Sequence, residues 1–167
     1  MSHFEKVRYA LSLSQGTEVR KMRNYEIEQT MYRKATELIE QRYPIGWGGA
    51  AVIHTAKDNY FTSVAIETAN GSAALCIEVG AMCEAHKYNE KVTHCLCVVR
   101  DDEHSNFKVL SPCGICQERL RYWGDDVQVG VTTEDRKLHF VELKELQPYH
   151  WTRAYNHDEL ERFIDEN

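Results

Sequence analysis

Apolar side chains recur at helical spacing between residues 24 and 41, with acidic and basic residues between them. This pattern predicts an amphipathic helix whose apolar face packs on a core. Asn24 is a suitable N-cap, and Pro44 with the glycines after it predicts the end of the helix. The apolar positions are Ile27, Met31, Ala35, Leu38 and Ile39.

Residues 1–23, which precede this helix, are polar and mixed in character and contain a Ser-Gln-Gly break at residues 14–16. We interpret them as an N-terminal extension that packs on the surface as an arm. A lid or a contact between subunits is the alternative.

Runs of β-branched and apolar residues predict strands. Residues 50–54 and 60–67 flank a turn at residues 57–59, which is typical of a hairpin. Residues 92–99 have the composition of a buried central strand, and His94 within it is expected to be a core histidine. Further strands are predicted at residues 126–132 and 138–141.

Helical patterns separate these strands. Ser72 is a plausible N-cap for an apolar run over residues 73–82, and Pro112 precedes a helix over residues 113–123. The tail, residues 152–167, contains a short amphipathic pattern that predicts a last helix over 156–166. Strands alternating with helices predict an α/β fold with a mixed sheet between helical layers.

Composition narrows the class of function. A chain of 167 residues is long enough for one domain with a substantial core. The excess of 26 acidic over 20 basic residues argues against a protein that grips a nucleic-acid backbone, and favours a small-molecule substrate. No run is apolar or long enough to predict a membrane span or a signal peptide. Six cysteines without a secretory signal predict reduced thiols in the cytoplasm.

Cys113 and Cys116 carry the first chemical signal. Their spacing puts two sulfurs on one side of the first turn of a helix that Pro112 introduces. The N-terminal end of that helix favours ionised thiols. The pair alone is also compatible with a redox motif or a structural zinc site.

Cys76 and Glu78 complete the candidate site. A catalytic zinc has three protein ligands and an open fourth position, and Cys76 is the predicted third ligand. Glu78, two residues further on, faces another side and is better suited to moving protons at the open position. The remaining cysteines, Cys83, Cys95 and Cys97, are interpreted as buried free thiols in apolar stretches.

Together, Cys76-Ile77-Glu78 and Pro112-Cys113-Gly114-Ile115-Cys116 resemble the zinc-binding signature of the cytidine deaminase family. The likeness covers about residues 39–151. With cysteine at position 76, where other members have histidine, the sequence resembles the branch of small homotetrameric nucleoside deaminases that includes blasticidin S deaminase. The resemblance implies a three-layer α/β/α sandwich with about five strands, about one zinc ion per subunit, and a homotetramer.

The resemblance also implies substrate contacts. Trp47 lies close to the position of an aromatic that packs on the pyrimidine, and Glu67 matches a carboxylate that holds the ribose hydroxyls. Ala65 stands where the family often has a second ribose ligand, Asn. Tyr149 and Trp151 follow a Leu-x-Glu-Leu-x-Pro closing segment that approaches a neighbouring active site in the tetramers.

The activity implied is hydrolysis of a cytosine nucleoside, such as cytidine, deoxycytidine or a modified form, to its uracil counterpart and ammonia. Detoxification of a cytosine nucleoside antibiotic is the alternative to pyrimidine salvage. Two other classes remain open: a non-catalytic zinc-stabilised binding module, and a nucleic-acid editing deaminase.

Overall fold

The computed structural model describes residues 3–135, 137–156 and 159–164, with side chains from residue 16 onward. The helices are α1 (His3–Arg42), α2 (Val79–Lys87), α3 (Gly114–Leu120) and α4 (Leu143–Leu146). The strands are β1 (Gly48–Thr55), β2 (Tyr60–Ser63), β3 (Val92–Arg100), β4 (Lys108–Leu110), β5 (Gln128–Gly130) and β6 (Phe140–Glu142). Short 3₁₀ turns occupy Gly71–Ala73, Arg121–Trp123 and Trp151–Ala154.

The strands form a six-stranded mixed sheet in the order β2-β1-β3-β5-β6, and β4 also pairs with β3. β3 is antiparallel to β1 and parallel to β5, so a helical crossover through α3 joins β3 to β5. The residues of β3 are buried almost throughout, as the apolar composition of residues 92–99 predicts. The predicted α/β class with a mixed sheet is confirmed.

Helices cover both faces of the sheet. On one face, the C-terminal part of α1 packs on β1, since a Cβ at Gly48 would lie 2.8 Å from Ile39 Cγ2. On the other face, side chains of β1, β3 and β5 share one apolar cluster with α2 and α3. The cluster includes Ile53, Ala81, Met82, Cys95, Cys116, Leu120 and Val129.

The start of the first helix differs from the prediction. α1 runs without interruption from His3, so Asn24 lies inside the helix and does not cap it. Gly16 costs a helix only about 1 kcal/mol relative to Ala, and Gln15 before it and Glu18 after it are good helix formers. The Ser-Gln-Gly sequence is therefore too weak a break. The chain separates into two compact units between Thr30 and Met31, and the described part of the first is α1 alone.

The second hairpin strand and the tail also differ from the prediction. β2 ends at Ser63, and the predicted strand residues 64–67 leave the sheet, where only Ile66 forms a bridge, to Leu75. In the predicted tail helix, residues 161–164 are not helical; residues 157, 158, 165 and 166 lie outside the described part of the chain. Phe163 instead packs against the apolar cluster, and its N–H donates to the Tyr122 carbonyl at 2.7 Å.

In the part of the chain that the structure describes, no helix has the length and apolarity needed to cross a membrane.

Candidate metal centre

Cys113 is the N-cap of α3. Its backbone is extended, with φ −65° and ψ 164°, and its carbonyl accepts the first helical bond from the Gln117 N–H at 2.9 Å. The Gln117 side chain donates back to the Pro112 carbonyl at 2.7 Å. This arrangement follows from proline before the helix and places Cys116 one turn further on, fully buried.

Cys76 lies in a turn before α2 and not inside the helix as predicted. α2 starts at Val79, whose N–H donates to the Cys76 carbonyl at 3.1 Å. Ser72 does not cap this helix, because the Asn70 side chain caps the separate 3₁₀ turn Gly71–Ala73. The chain then extends through Leu75 to pair with Ile66, which delays the helix until after Cys76.

The fold brings the three predicted thiols together. The sulfurs of Cys76, Cys113 and Cys116 all lie within 4.8 Å of one another, and those of Cys76 and Cys113 are 3.5 Å apart. Sulfurs bound tetrahedrally to zinc at about 2.3 Å stand about 3.8 Å from one another. The cluster therefore fits a zinc ion with small adjustments. Cys113 is exposed and Cys76 partly so, which leaves one side open.

Glu78 stands beside this cluster as the N-cap residue of α2. The Cys116 thiol donates to Glu78 Oε2 at 3.3 Å, and the carboxylate is buried, with 4% of the residue exposed. A buried carboxylate with one partner on a candidate ligand is held at the metal position without having to be a ligand itself.

The thiols differ in their electrostatics. Burial, followed by the negative charge of Glu78, raises the pKa of Cys116 well above its ordinary value. Burial also raises the pKa of Cys76. Burial acts to raise the pKa of Cys113 too, but hydrogen bonds from the Cys116 N–H and the neighbouring thiols outweigh it and lower that pKa. Cys113 is thus the thiol most readily ionised, as its place at a helix N-terminus predicts.

Three further cysteines lie outside the cluster. Cys95 and Cys97 are buried free thiols, as predicted, and burial raises the pKa of each. Cys83 is exposed, contrary to the prediction. It lies on α2 between the buried Met82 and the partly buried Glu84, on the outward side of the helix.

Comparison with known proteins gives the family. A solved cytidine deaminase from Bacillus anthracis is 56% identical, with a TM-score of 0.77, over 80% of this chain and 94% of that one. The chain belongs to the cytidine deaminase family. The resemblance inferred from the Cys-x-Glu and Pro-Cys-x-x-Cys stretches is confirmed.

Two other known proteins are less similar to the chain. A blasticidin-S deaminase from Bacillus cereus is 28% identical over 133 residues, which are 77% of this chain and 91% of that protein. A cytidine deaminase structure from Burkholderia pseudomallei, 17% identical, shares the fold with a TM-score of 0.59, over 74% of this chain and 98% of that one. No protein-family model matches the chain.

Three of the residues predicted to contact the substrate lie near the turn that contains Cys76. They are Trp47, Ala65 and Glu67. Trp47 is 45% exposed, and its ring and the Ile77 side chain both lie against Gly49, where a Cβ would be 3.0 and 2.8 Å away. Ala65 and Glu67 flank the Ile66–Leu75 bridge, which directly precedes Cys76; Ala65 is half-buried and Glu67 exposed.

The aromatic residues predicted in the tail are more exposed. Tyr149 is 96% exposed and Trp151 is 56% exposed. Trp151 Nε1 donates to Glu118 Oε1 at 3.3 Å, and His150 Nε2 lies 2.7 Å from Glu118 Oε2. The tail is therefore tied to α3, two residues after Cys116. The sequence alone did not predict this contact between Glu118 and His150, because no local pattern links residues 32 positions apart.

Proposed function

We propose that this protein is a zinc-dependent hydrolytic deaminase of cytosine nucleosides. The observation that carries the proposal is the cluster of three thiols with Glu78 against the most buried of them. The 56% identity to a protein described as a cytidine deaminase supports the same activity.

Cys76, Cys113 and Cys116 would hold the ion, about one per subunit. A bound zinc supplies Lewis acidity, which makes water nucleophilic at neutral pH. The reaction consumes water, breaks the bond between C4 and the exocyclic nitrogen, forms a C4–O bond, and releases ammonia.

Glu78 moves the protons that this exchange requires. Its carboxylate accepts a proton from the attacking water oxygen and delivers it to N3 of the ring. It then accepts the remaining proton of that oxygen, now the C4 hydroxyl, and delivers it to the exocyclic nitrogen, which leaves as ammonia. A single carboxyl group can serve each of these steps when it lies within hydrogen-bond reach of all three atoms. Its burial keeps it oriented, and the Cys116 contact holds it at the cluster.

Trp47, Ala65 and Glu67 are the proposed substrate contacts on the same subunit. The half-exposed Trp47 ring offers a face for the pyrimidine. Glu67 offers acceptors for sugar hydroxyls, and the bridge between Ile66 and Leu75 connects it directly to the Cys76 turn. Ala65 leaves this sugar site with one fewer polar group than the family pattern.

A homotetramer is the proposed assembly, with Tyr149 and Trp151 contributed to a neighbouring site. Their high exposure in the isolated chain supports this, since large exposed aromatic side chains are frequent at protein interfaces. Six free cysteines support a reducing compartment such as the cytoplasm. Light scattering of the purified protein should give a tetramer mass, and a monomer mass would contradict the proposed assembly.

Detoxification of a nucleoside antibiotic is a second candidate role, favoured by the relative described as a blasticidin-S deaminase. The deciding experiment measures ammonia release from cytosine, cytidine, deoxycytidine, blasticidin S and a single-stranded oligodeoxynucleotide, alongside zinc content. Release from free nucleosides is expected. Zinc without any turnover would indicate a binding module, and turnover of the oligonucleotide alone would indicate an editing enzyme.

A further inference from the structure

Ser63 connects the sheet to the turn that carries the candidate metal ligand and the proton carrier. It is the last residue of β2 and pairs with Ala51 of β1, so its backbone position is set by the sheet. Its hydroxyl donates to the Ile77 carbonyl at 2.5 Å. This is a hydrogen bond from a rigid element to the residue between Cys76 and Glu78.

Gly80 creates the space for this contact. A Cβ at position 80 would lie 2.8 Å from Ser63 Cβ, closer than side chains tolerate. The first turn of α2 therefore approaches the end of β2 with no side chain between them, a close approach that glycine permits. The short gap brings the Ile77 carbonyl within reach of a serine hydroxyl.

The neighbouring carbonyls have partners from the helix itself. The Cys76 carbonyl accepts from the Val79 N–H, and the Glu78 carbonyl accepts from the Met82 N–H, each at 3.1 Å. The Ile77 carbonyl is held by Ser63. Because a peptide group is planar, fixing the Ile77 carbonyl also fixes the N–Cα bond of Glu78, the bond from whose Cα end the side chain departs.

We propose that Ser63 is a positioning residue that sets both Cys76 and Glu78 through the Ile77 carbonyl. The part of the inference that concerns Glu78 rests on the proposed deaminase function. The part that concerns Cys76 does not, because zinc affinity can be measured without turnover. Groups that orient metal ligands from outside typically change affinity or activity by about 10- to 100-fold when removed.

Ser63→Ala is the test variant, since it keeps the Cβ that contacts Gly80 and removes only the hydroxyl. Thr62→Ala is the matched control, because Thr62 is the preceding residue of the same strand and its side chain is exposed. Both proteins are compared with wild type for zinc dissociation constant by chelator competition, melting temperature, and kcat and KM for cytidine.

For Ser63→Ala we expect a zinc dissociation constant raised about 10-fold and kcat lowered about 10- to 100-fold. KM should stay within about twofold, because the substrate contacts are untouched. Thr62→Ala should match wild type in all of these.

A Ser63→Ala zinc affinity within about twofold of wild type would overturn the proposal, and so would a loss in kcat no larger than that of Thr62→Ala. If wild type released no ammonia from any nucleoside, the proposed function would fail and the zinc measurement alone would decide the role of Ser63.

Discussion

Glu78 Oε2 lies 3.3 Å from the sulfur of Cys116, and both groups are buried. The two residues come from the starts of different helices, α2 and α3, which only the sheet brings together. The contact explains how a carboxylate can be held beside three thiols without acting as a ligand. It also means that each group can be removed separately, with different expected consequences.

Loss of a thiol should remove the metal. Cys113→Ala and Cys116→Ala should each lose most bound zinc, because two thiols do not form a stable site and metal binding is coupled to folding. Cys116→Ala should also lower the melting temperature more, since Cys116 is fully buried while Cys113 is exposed. Elemental analysis and thermal unfolding provide the measurements. Full zinc occupancy in both variants would contradict the ligand assignment, and Cys83→Ala on the exposed side of α2 is the control.

Loss of the carboxylate should leave the metal and abolish turnover. Glu78→Ala should bind zinc and keep its fold but lose turnover by more than the roughly hundred- to ten-thousandfold typical of one proton transfer, because several transfers are affected. Glu84→Ala is the control, as Glu84 lies on the same helix and pairs with Lys87 at 2.7 Å. Steady-state ammonia release and zinc content are measured for both. A Glu78→Ala enzyme that retained near wild-type kcat would refute the proton-carrier role.

Local sequence signals predicted the parts of this molecule that local energetics determine. The pattern at residues 92–99 identified the central strand because β3 is buried on both faces. Pro112 identified the start of α3, and this start places Cys113 and Cys116 about one helical turn apart. The elements that were predicted wrongly depend on weak local preferences or on contacts between segments far apart in the sequence. Asn24 is a residue type that often caps helices, but the helix continues through it, because helix-forming residues lie on both sides.

The start of α2 shows the same limit at the site itself. Apolar periodicity over residues 73–82 favoured a helix, yet the Ile66–Leu75 bridge keeps the chain extended up to Cys76. The grouping of the three thiols could still be predicted, because residue type and spacing indicate it regardless of the local conformation. The Ser63–Ile77 bond and the Glu118–His150 contact could not be, since each joins segments that only the tertiary fold brings together.

His94 should make stability depend on pH. Burial, reinforced by the neighbouring His54, lowers the pKa of His94 to about 4 in the folded protein, against an ordinary value of 6.5. Its Nδ1 lies 2.9 Å from Thr93 Oγ1, its ring packs on Phe140, and its Nε2 has no partner among the described residues. The unfolded chain therefore binds a proton that the folded chain excludes between these two pH values.

The stabilising contribution is complete above about pH 6.5 and is lost as the pH falls towards about 4, by about 3 kcal/mol in all. Urea unfolding between about pH 7 and pH 4 measures this. His94→Gln should flatten the dependence, while His104→Gln, whose side chain is 90% exposed, should not. The comparison between variants isolates His94, because all share the same thiol cluster. Equal slopes in all three proteins would show that another group controls the dependence.

We expect the protein to discriminate only weakly among the sugars of its substrates. A pocket built to hydrogen-bond a hydroxyl rejects analogues that lack it, because its own polar groups are left unpaired. In the proposed sugar site, Ala65 would leave out one such group, and Glu67 would carry the discrimination that remains. We expect weak selection among ribose, deoxyribose and more heavily modified sugars, which makes blasticidin S a credible substrate beside cytidine.

The measurement is kcat/KM for cytidine and 3′-deoxycytidine, in wild type and in Ala65→Asn. The substitution should increase the preference for cytidine, since the added amide restores a hydroxyl ligand. A wild-type preference of roughly a thousandfold or more would mean that the site already reads the hydroxyl strictly. An unchanged preference in Ala65→Asn would mean that residue 65 does not face the sugar, and either result would refute the argument.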